Sequence, residues 1–122
     1  MDATMAIAAS GMAAASQSLT ASASNIANMQ TAAPIPASGP LQPVPQNSGA
    51  VYQAVDAIQQ NSPGGGVATA VFNVRPSYML AYDPSAPFAN LQGMVATPNV
   101  ELINETVNLI SASAAFRAEV TA

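Results

Sequence analysis

Few residues of this chain have the types and spacing that chemistry requires. The sequence of 122 residues contains no Cys and no His, which removes thiol nucleophiles, the commonest metal ligand and the usual general base near neutral pH. Glu101 and Glu105 stand one helical turn apart and could in principle form an acid and base pair. Nothing nearby in the sequence would give the two carboxyl groups the different pKa values that such a pair needs, so a solvated or intersubunit helix face is the favoured interpretation.

Two other motifs point to turns. Gly64-Gly65-Gly66 could form a phosphate cradle, but it lacks the Lys and Ser or Thr of a P-loop and precedes no helix, which favours a hairpin turn. Asp83 before Pro84 offers a single carboxylate, which is too few for a hard cation and typical of a turn. The sequence therefore predicts no catalytic, cofactor or metal site, and a protein that is not an enzyme.

The composition instead favours association with other chains. Hydrophobic residues make up 50% of the chain and aromatic residues only 5%. Ala dominates the hydrophobic set and contributes little buried area per residue, so a hydrophobic core formed by this chain alone would be small. Charged residues are 7%, with two Arg against six acidic residues and a formal net charge of -4. Two cations cannot neutralise a run of phosphates, which argues against nucleic-acid binding.

The proline distribution divides the chain into three parts. All ten Pro lie between Pro34 and Pro98, so 1–30 and 98–122 are predicted to be terminal helices, and 31–97 the part between them. Within that part, 31–49 is predicted to be a Pro-rich linker in an extended or irregular conformation and 50–97 a small β unit with a connecting loop. The Ala-rich start is too short for a membrane span, and it lacks the positive n-region of a secretory signal.

Both terminal parts carry apolar residues at alternating steps of four and three, the spacing of a helix seam that faces a partner helix. In the first part the repeat contains one polar member, Ser22, and consists of Met1, Met5, Ala8, Met12, Ala15, Leu19, Ser22, Ile26 and Met29. In the last part it consists of Val100, Ile103, Val107, Ile110 and Ala114. A second apolar row, formed by Leu102, Leu109, Phe116 and Val120, indicates that this helix has more than one neighbour. Thr97 and Pro98 are predicted to be its N-cap and first residue.

The middle part contains strand-like segments. Residues 51–58 and 67–75 are rich in β-forming side chains, and 61–66 between them supply the residues of a hairpin turn. Residues 77–82 are a candidate third strand. Two or three strands form a marginal sheet by themselves, so we expect this unit to pack against helices or neighbours.

Several motifs resemble the flagellar axial proteins, the family of rod, hook and hook-associated subunits. The N-terminal part matches the family signature at Ala9-Ser10-Gly11-Met12, Ala23-Ser24-Asn25-Ile26-Ala27-Asn28 and Thr31, with Ser24 where the family usually has Asn. The C-terminal third is similar to proximal-rod members at 82–87, 93–100, Glu105 and 107–113. The matches cover about half of the chain and both of its ends.

The resemblance implies a mainly α fold with a small β unit. Its N- and C-terminal helices would pair as a coiled coil lining the inner tube of a helical assembly, with a central antiparallel hairpin or small sheet on an extended linker. It also implies export through the flagellar type III apparatus without a cleaved signal peptide, and a place in the basal-body rod in the periplasm. Its partners would be copies of itself and other rod subunits, with no nucleic acid, no direct membrane insertion and no cofactor.

The function expected from these features is a structural subunit of the proximal rod, assembled helically into the drive shaft that transmits torque from the motor to the hook. The alternative is an export or assembly adaptor, or a chaperone, that binds partner helices. The residues predicted to form the subunit interface come from both ends of the chain: Met5, Met12, Leu19, Asn25, Ile26, Asn28, Val100, Ile103, Val107, Ile110 and Phe116. Asn25 and Asn28 could cap the helix or hydrogen-bond across subunits, and the family signature favours the latter.

Overall fold

The computed structural model describes residues 3–44 and 49–121. Its elements are, in chain order, α1 (Ala3–Asn28), β1 (Val55–Asn61), β2 (Val67–Asn73), β3 (Tyr78–Tyr82), β4 (Met94–Pro98) and α2 (Leu102–Thr121). The predicted seam member Met1 and the linker residue Pro45 lie outside the described residues. The prediction of a mainly α chain with terminal helices and a small β part is confirmed.

The chain folds as two compact units that both combine distant parts of the sequence. The first contains α1 up to Ser24, the segment Val55–Phe72 and α2. The second contains the last turn of α1, the Pro-rich segment and the segment that includes β3 and β4. The strands form two separate sheets of two strands each, β1 with β2 and β3 with β4.

The hairpin of the first unit is built around its three consecutive glycines. The amide of Gly65 donates to the carbonyl of Ser62 at 3.0 Å, and the amide of Ser62 donates to the carbonyl of Gly66 at 3.1 Å. Gly64, Gly65 and Gly66 have φ angles of 86°, 103° and 85°, which side chains with a Cβ rarely adopt. The predicted hairpin turn is confirmed, while β1 begins at Val55 rather than at Val51.

The residues before β1 do not form a strand, and they are buried in the second unit. Val51 and Ala54 are almost completely buried. Gln53 is also buried, and its side chain joins two irregular segments: Oε1 accepts from the amide of Val44 at 2.9 Å, and Nε2 donates to the carbonyl of Val74 at 3.2 Å. Because both the oxygen and the nitrogen of this buried side-chain amide are hydrogen-bonded, Gln53 stabilises two segments that have no sheet or helix hydrogen bonds of their own.

The core of the second unit is small and draws on the Pro-rich segment. It consists of Ala33, Val44, Val51, Tyr78 and Ala96, with Ile35 and Ala50 packed against them. The segment 31–44 contains no helix, and its one β contact is an isolated bridge between Ala33 and Ala96. It is therefore irregular, as predicted, but it also contributes core side chains.

The predicted start of the C-terminal helix is wrong. Thr97 and Pro98 end β4, which pairs antiparallel with β3 so that Tyr78 stands opposite Pro98. The Thr97 hydroxyl donates to the carbonyl of Met79 at 3.4 Å instead of capping a helix. α2 begins at Leu102. Pro98 takes the last position of the strand, where its missing amide hydrogen disrupts the ladder least.

Candidate subunit interface

The predicted seam of α1 is largely the buried face of that helix. Met5 is 59% exposed, whereas Met12, Leu19 and Ile26 are half-buried. The small members of the repeat are buried most completely, with Ala15 at 0% and Ser22 at 4% exposure. The opposite face, formed by Ala9, Ala13, Ser16, Thr20, Ala23 and Ala27, is exposed.

Within the first unit α1 and α2 run antiparallel and approach each other closely. A Cβ placed on Gly11 would stand 2.6 Å from Oε1 of Glu119. About two and three turns further along α1, Ser18 and Ser22 line a groove together with Asn108 and Ala112. Higher residue numbers on α1 therefore face lower residue numbers on α2, so the two helices are antiparallel. Gly11, which lowers helix propensity, stands where the two helices are close.

The predicted α2 repeat lies on the surface. Ile103, Val107 and Ile110 are 74%, 56% and 63% exposed. Val100 lies outside the helix, in the turn after Pro98, where its amide donates to the carbonyl of Pro98 at 3.0 Å. We name the set Ile103, Val107 and Ile110 the α2 stripe.

A different row of α2 is the covered one. Ala112 is 6% exposed, and the half-buried residues around it are spaced by the same steps of four and three. The row consists of Glu105, Leu109, Ala112, Phe116 and Glu119. It includes Leu109 and Phe116 of the predicted second row, so α2 uses one apolar row within the chain and leaves the other exposed.

The asparagines of the family signature shape the end of α1. Asn25 is 1% exposed, and its Oδ1 accepts a hydrogen bond from the hydroxyl of Tyr52 at 2.8 Å. The carbonyl of Asn28 accepts two bonds from Thr31, one from its amide at 3.2 Å and one from its hydroxyl at 2.7 Å. These bonds close the last turn of the helix. The partnership with Tyr52 carried no signal in the sequence, because the two residues are far apart along the chain.

The groove between α1, β1 and α2 has a volume of about 310 Å³. Its polar lining residues are Ser18, Ser22, Asp56, Gln59, Asn108 and Ser111. We name it the polar groove. The sequence did not predict it, because only folding brings β1 next to both helices.

The motifs that could have carried chemistry have structural roles. The carbonyl of Asp83 accepts from the amide of Ala86 at 3.2 Å, and its carboxylate accepts from the hydroxyl of Ser85 at 2.7 Å, so the predicted turn is confirmed. Within 3–44 and 49–121, no three acidic side chains are grouped as metal ligands would be. Neither helix, over its described residues, has the length and apolar character needed to cross a membrane.

Comparison with curated proteins shows clear relatives. The chain is 34% identical over 114 residues to the flagellar basal-body rod protein FlgC of Salmonella typhimurium, covering 93% of this chain and 81% of the relative. It is 35% identical over 114 residues to FlgC of Yersinia enterocolitica, with the same coverage. FlgC of Bacillus subtilis is 32% identical over 109 residues, which span 81% of this chain and 73% of the relative. No protein-family model matches the chain.

Proposed function

Because this chain belongs to the family of flagellar basal-body rod protein FlgC, we propose that exposed faces of its two terminal helices join it to neighbouring rod subunits. As a member of this family, it is a structural protein of the flagellar basal-body rod. Nothing in the comparisons favours the alternative of an export adaptor or chaperone.

The observation that carries the proposal is the α2 stripe. Three β-branched side chains on one helix face are more than half exposed, although completing the burial of each would contribute about 1–2 kcal/mol. Such a face on a charge-poor protein favours association. We propose that a helix of a neighbouring subunit covers the α2 stripe.

The two helices have different tasks in this proposal. On α1 the half-buried seam residues Met12 and Leu19 serve packing within the chain, while Met5, which is 59% exposed, lies at the surface. Asn25 positions the end of α1 through Tyr52, and Asn28 closes its last turn. On α2 the stripe makes the intersubunit contact, and Phe116 belongs to the covered row.

Many copies would repeat this contact helically around an axis, so that weak single contacts add up to a stiff shaft. The terminal helices would be the axial elements, supercoiled around one another, and residues 31–97 the part between them. Such a shaft would lie in the periplasm and transmit torque from the motor to the hook. We also propose export through the type III apparatus without a cleaved signal. The absence of Cys from the sequence means that no disulfide in this chain has to form before or after that passage.

The test replaces the α2 stripe with serines, Ile103→Ser, Val107→Ser and Ile110→Ser together. Ser and Ile have similar helix propensities, so the helix should persist in the isolated chain, as measured by circular dichroism. We expect the amount of this protein in purified basal bodies to fall at least tenfold, because the apolar contact is lost.

The matched control is Val120→Ser, which removes another β-branched side chain, 57% exposed on the same helix but off the stripe. It should be incorporated like the wild type. Normal incorporation of the triple variant would refute the role of the stripe. Absence of the wild-type protein from basal bodies would refute the rod function itself.

A further inference from the structure

The polar groove of the first unit has an acidic character that its lining does not offset. Asp56 lines it, and neither of the two arginines of the chain does. Oδ1 of Asp56 accepts a hydrogen bond from the amide of Ala57 at 2.8 Å, which leaves acceptor capacity on the carboxylate. The remaining polar lining consists of hydroxyls and side-chain amides, which bind a cationic donor readily.

A second carboxylate lies close along α2. Glu105 precedes Asn108 by one helical turn, and residues at this spacing share a helix face. One of its carboxylate oxygens, Oε2, is buried and has no hydrogen-bond partner among the described residues. A buried carboxylate oxygen without a donor adds negative potential that solvent screens weakly. Glu105 is not part of the groove lining, so Asp56 is the carboxylate that favours a cation there, and Glu105 adds negative charge on the same helix.

The chain has one cation that is suited to this role. Arg117 already takes part in an interaction within the chain. Arg75 is exposed, in the connection between β2 and β3, and its side chain has no ion-pair or hydrogen-bond partner among residues 3–44 and 49–121.

The backbone around Arg75 is held on both sides. The amide of Val74 donates to the carbonyl of Ala54 at 2.9 Å, and the amide of Ser77 donates to the carbonyl of Pro40 at 2.6 Å. The side chain of Asn99 donates to the carbonyl of Pro76 at 2.8 Å. A charge presented from a fixed backbone loses less entropy on binding than one on a mobile loop.

We propose that the polar groove of one copy binds the Arg75 guanidinium of a neighbouring copy. This inference rests on the proposed function, because it names one contact between subunits of the rod. The planar guanidinium offers five donors, which match the Asp56 carboxylate together with the side-chain oxygens of Gln59 and Asn108. The charge signs are complementary, and a single chain supplies both halves of the contact.

The contact can continue from copy to copy. A copy that receives an arginine at Asp56 keeps its own Arg75, which it can offer to a third copy. Such heterologous contacts extend into open helical assemblies unless the rotation closes a ring. A rod requires a contact of this kind, whereas a two-fold dimer does not.

Chemical cross-linking tests the contact directly, because the natural sequence has no Cys. Two differently tagged proteins, Asp56→Cys and Arg75→Cys, are expressed together in a strain lacking the chromosomal copy, and purified basal bodies are treated with a short bismaleimide. We expect a cross-linked dimer that carries both tags. In the control pair, exposed Asp83→Cys replaces Asp56→Cys, and we expect no such dimer above background.

Three outcomes would overturn the inference. If both proteins are in the basal bodies but no mixed dimer forms, the contact is wrong and the rod function stands. If Arg75→Cys instead cross-links to a different rod protein, the assignment to a second copy is wrong. If neither the variants nor the wild-type protein reach the basal body, the proposed function fails and the contact fails with it.

Exchange of the charges gives an independent measurement. Asp56→Arg or Arg75→Asp alone should lower incorporation into basal bodies about fivefold, the effect of one partly exposed ion pair, and the double exchange should restore it to within about twofold. Asp56→Asn keeps the acceptor for the Ala57 amide and so tests the charge without disturbing the hairpin. Arg75→Lys should retain most incorporation. A double exchange no better than either single variant would contradict the pairing.

Discussion

The two helices of the first unit carry apolar repeats of the same spacing and use them differently. α1 buries Ala15 of its repeat at 0% exposure, together with the neighbouring small residues Ala14 and Ala21 at 2% and 8%. α2 leaves its largest β-branched residues, Ile103 and Ile110, on the surface. Hydrophobicity therefore does not decide which repeat is buried within the chain.

Side-chain size explains the difference. Small residues let two helices approach closely, but they bury little area, so a contact made by them is compact and weak. Large side chains exposed on α2 hold the greater part of the available hydrophobic free energy. In the proposed assembly, the small residues of α1 serve folding and the exposed large residues of the α2 stripe contact other subunits. If so, substitutions on α1 should change folding, and substitutions on the α2 stripe should change assembly.

The largest effect on folding is expected from Ala15→Leu. Ala15 is completely buried on α1, and forcing a larger side chain into a packed site costs about 3 kcal/mol of unfolding free energy. Urea titration of the isolated chain, followed by circular dichroism, measures this change. Ala13→Leu is the matched control, since the same substitution falls on the exposed face of α1 and should change stability by less than about 0.5 kcal/mol. Equal effects at both positions would mean that α1 has no buried face.

A smaller effect comes from Leu19→Ala, which should be compared with Ile110→Ala. Leu19 is half-buried, so its truncation should cost about 1–2 kcal/mol, below the range for a fully buried leucine. Ile110 is 63% exposed, and its truncation should cost less than about 0.5 kcal/mol. Per folded molecule, Ile110→Ala should be incorporated into basal bodies less well than Leu19→Ala. A large loss of stability in Ile110→Ala would show that the stripe packs within the chain.

The sequence was sufficient to predict elements that depend on local pattern. Apolar repeats and the absence of prolines predicted both terminal helices, and the residues 61–66 predicted the hairpin turn. The start of α2 was missed because Thr97-Pro98 is locally a good helix start, whereas pairing with β3 and the bridge to Ala33 depend on distant residues. Such nonlocal pairing overrides local preference.

The candidate site was predictable only in part, for a similar reason. Periodicity marked both apolar rows of α2, but which row is covered depends on the position of α1. Asn25 was identified from the family signature, yet its partner Tyr52 is remote in sequence. The polar groove needs three elements to come together, and Asp56 in β1 carries no motif that would single it out.

The smallest predicted effect concerns the place where the two helices are nearest. Gly11→Ala should gain about 1 kcal/mol of helix propensity, but its Cβ would stand 2.6 Å from the Glu119 carboxylate. That carboxylate ends a flexible side chain and can move aside at a cost, so the net change in unfolding free energy should lie within about 0.5 kcal/mol. In a Glu119→Ala background, where the obstacle is gone, the same substitution should stabilise the protein by about 1 kcal/mol.

The control combines Gly11→Ala with Leu102→Ala, at the other end of α2, and the two changes in unfolding free energy should be additive. If Gly11→Ala is equally additive with Glu119→Ala, the helices do not approach at this point, and the contrast between a small-residue contact and an exposed stripe loses its structural basis.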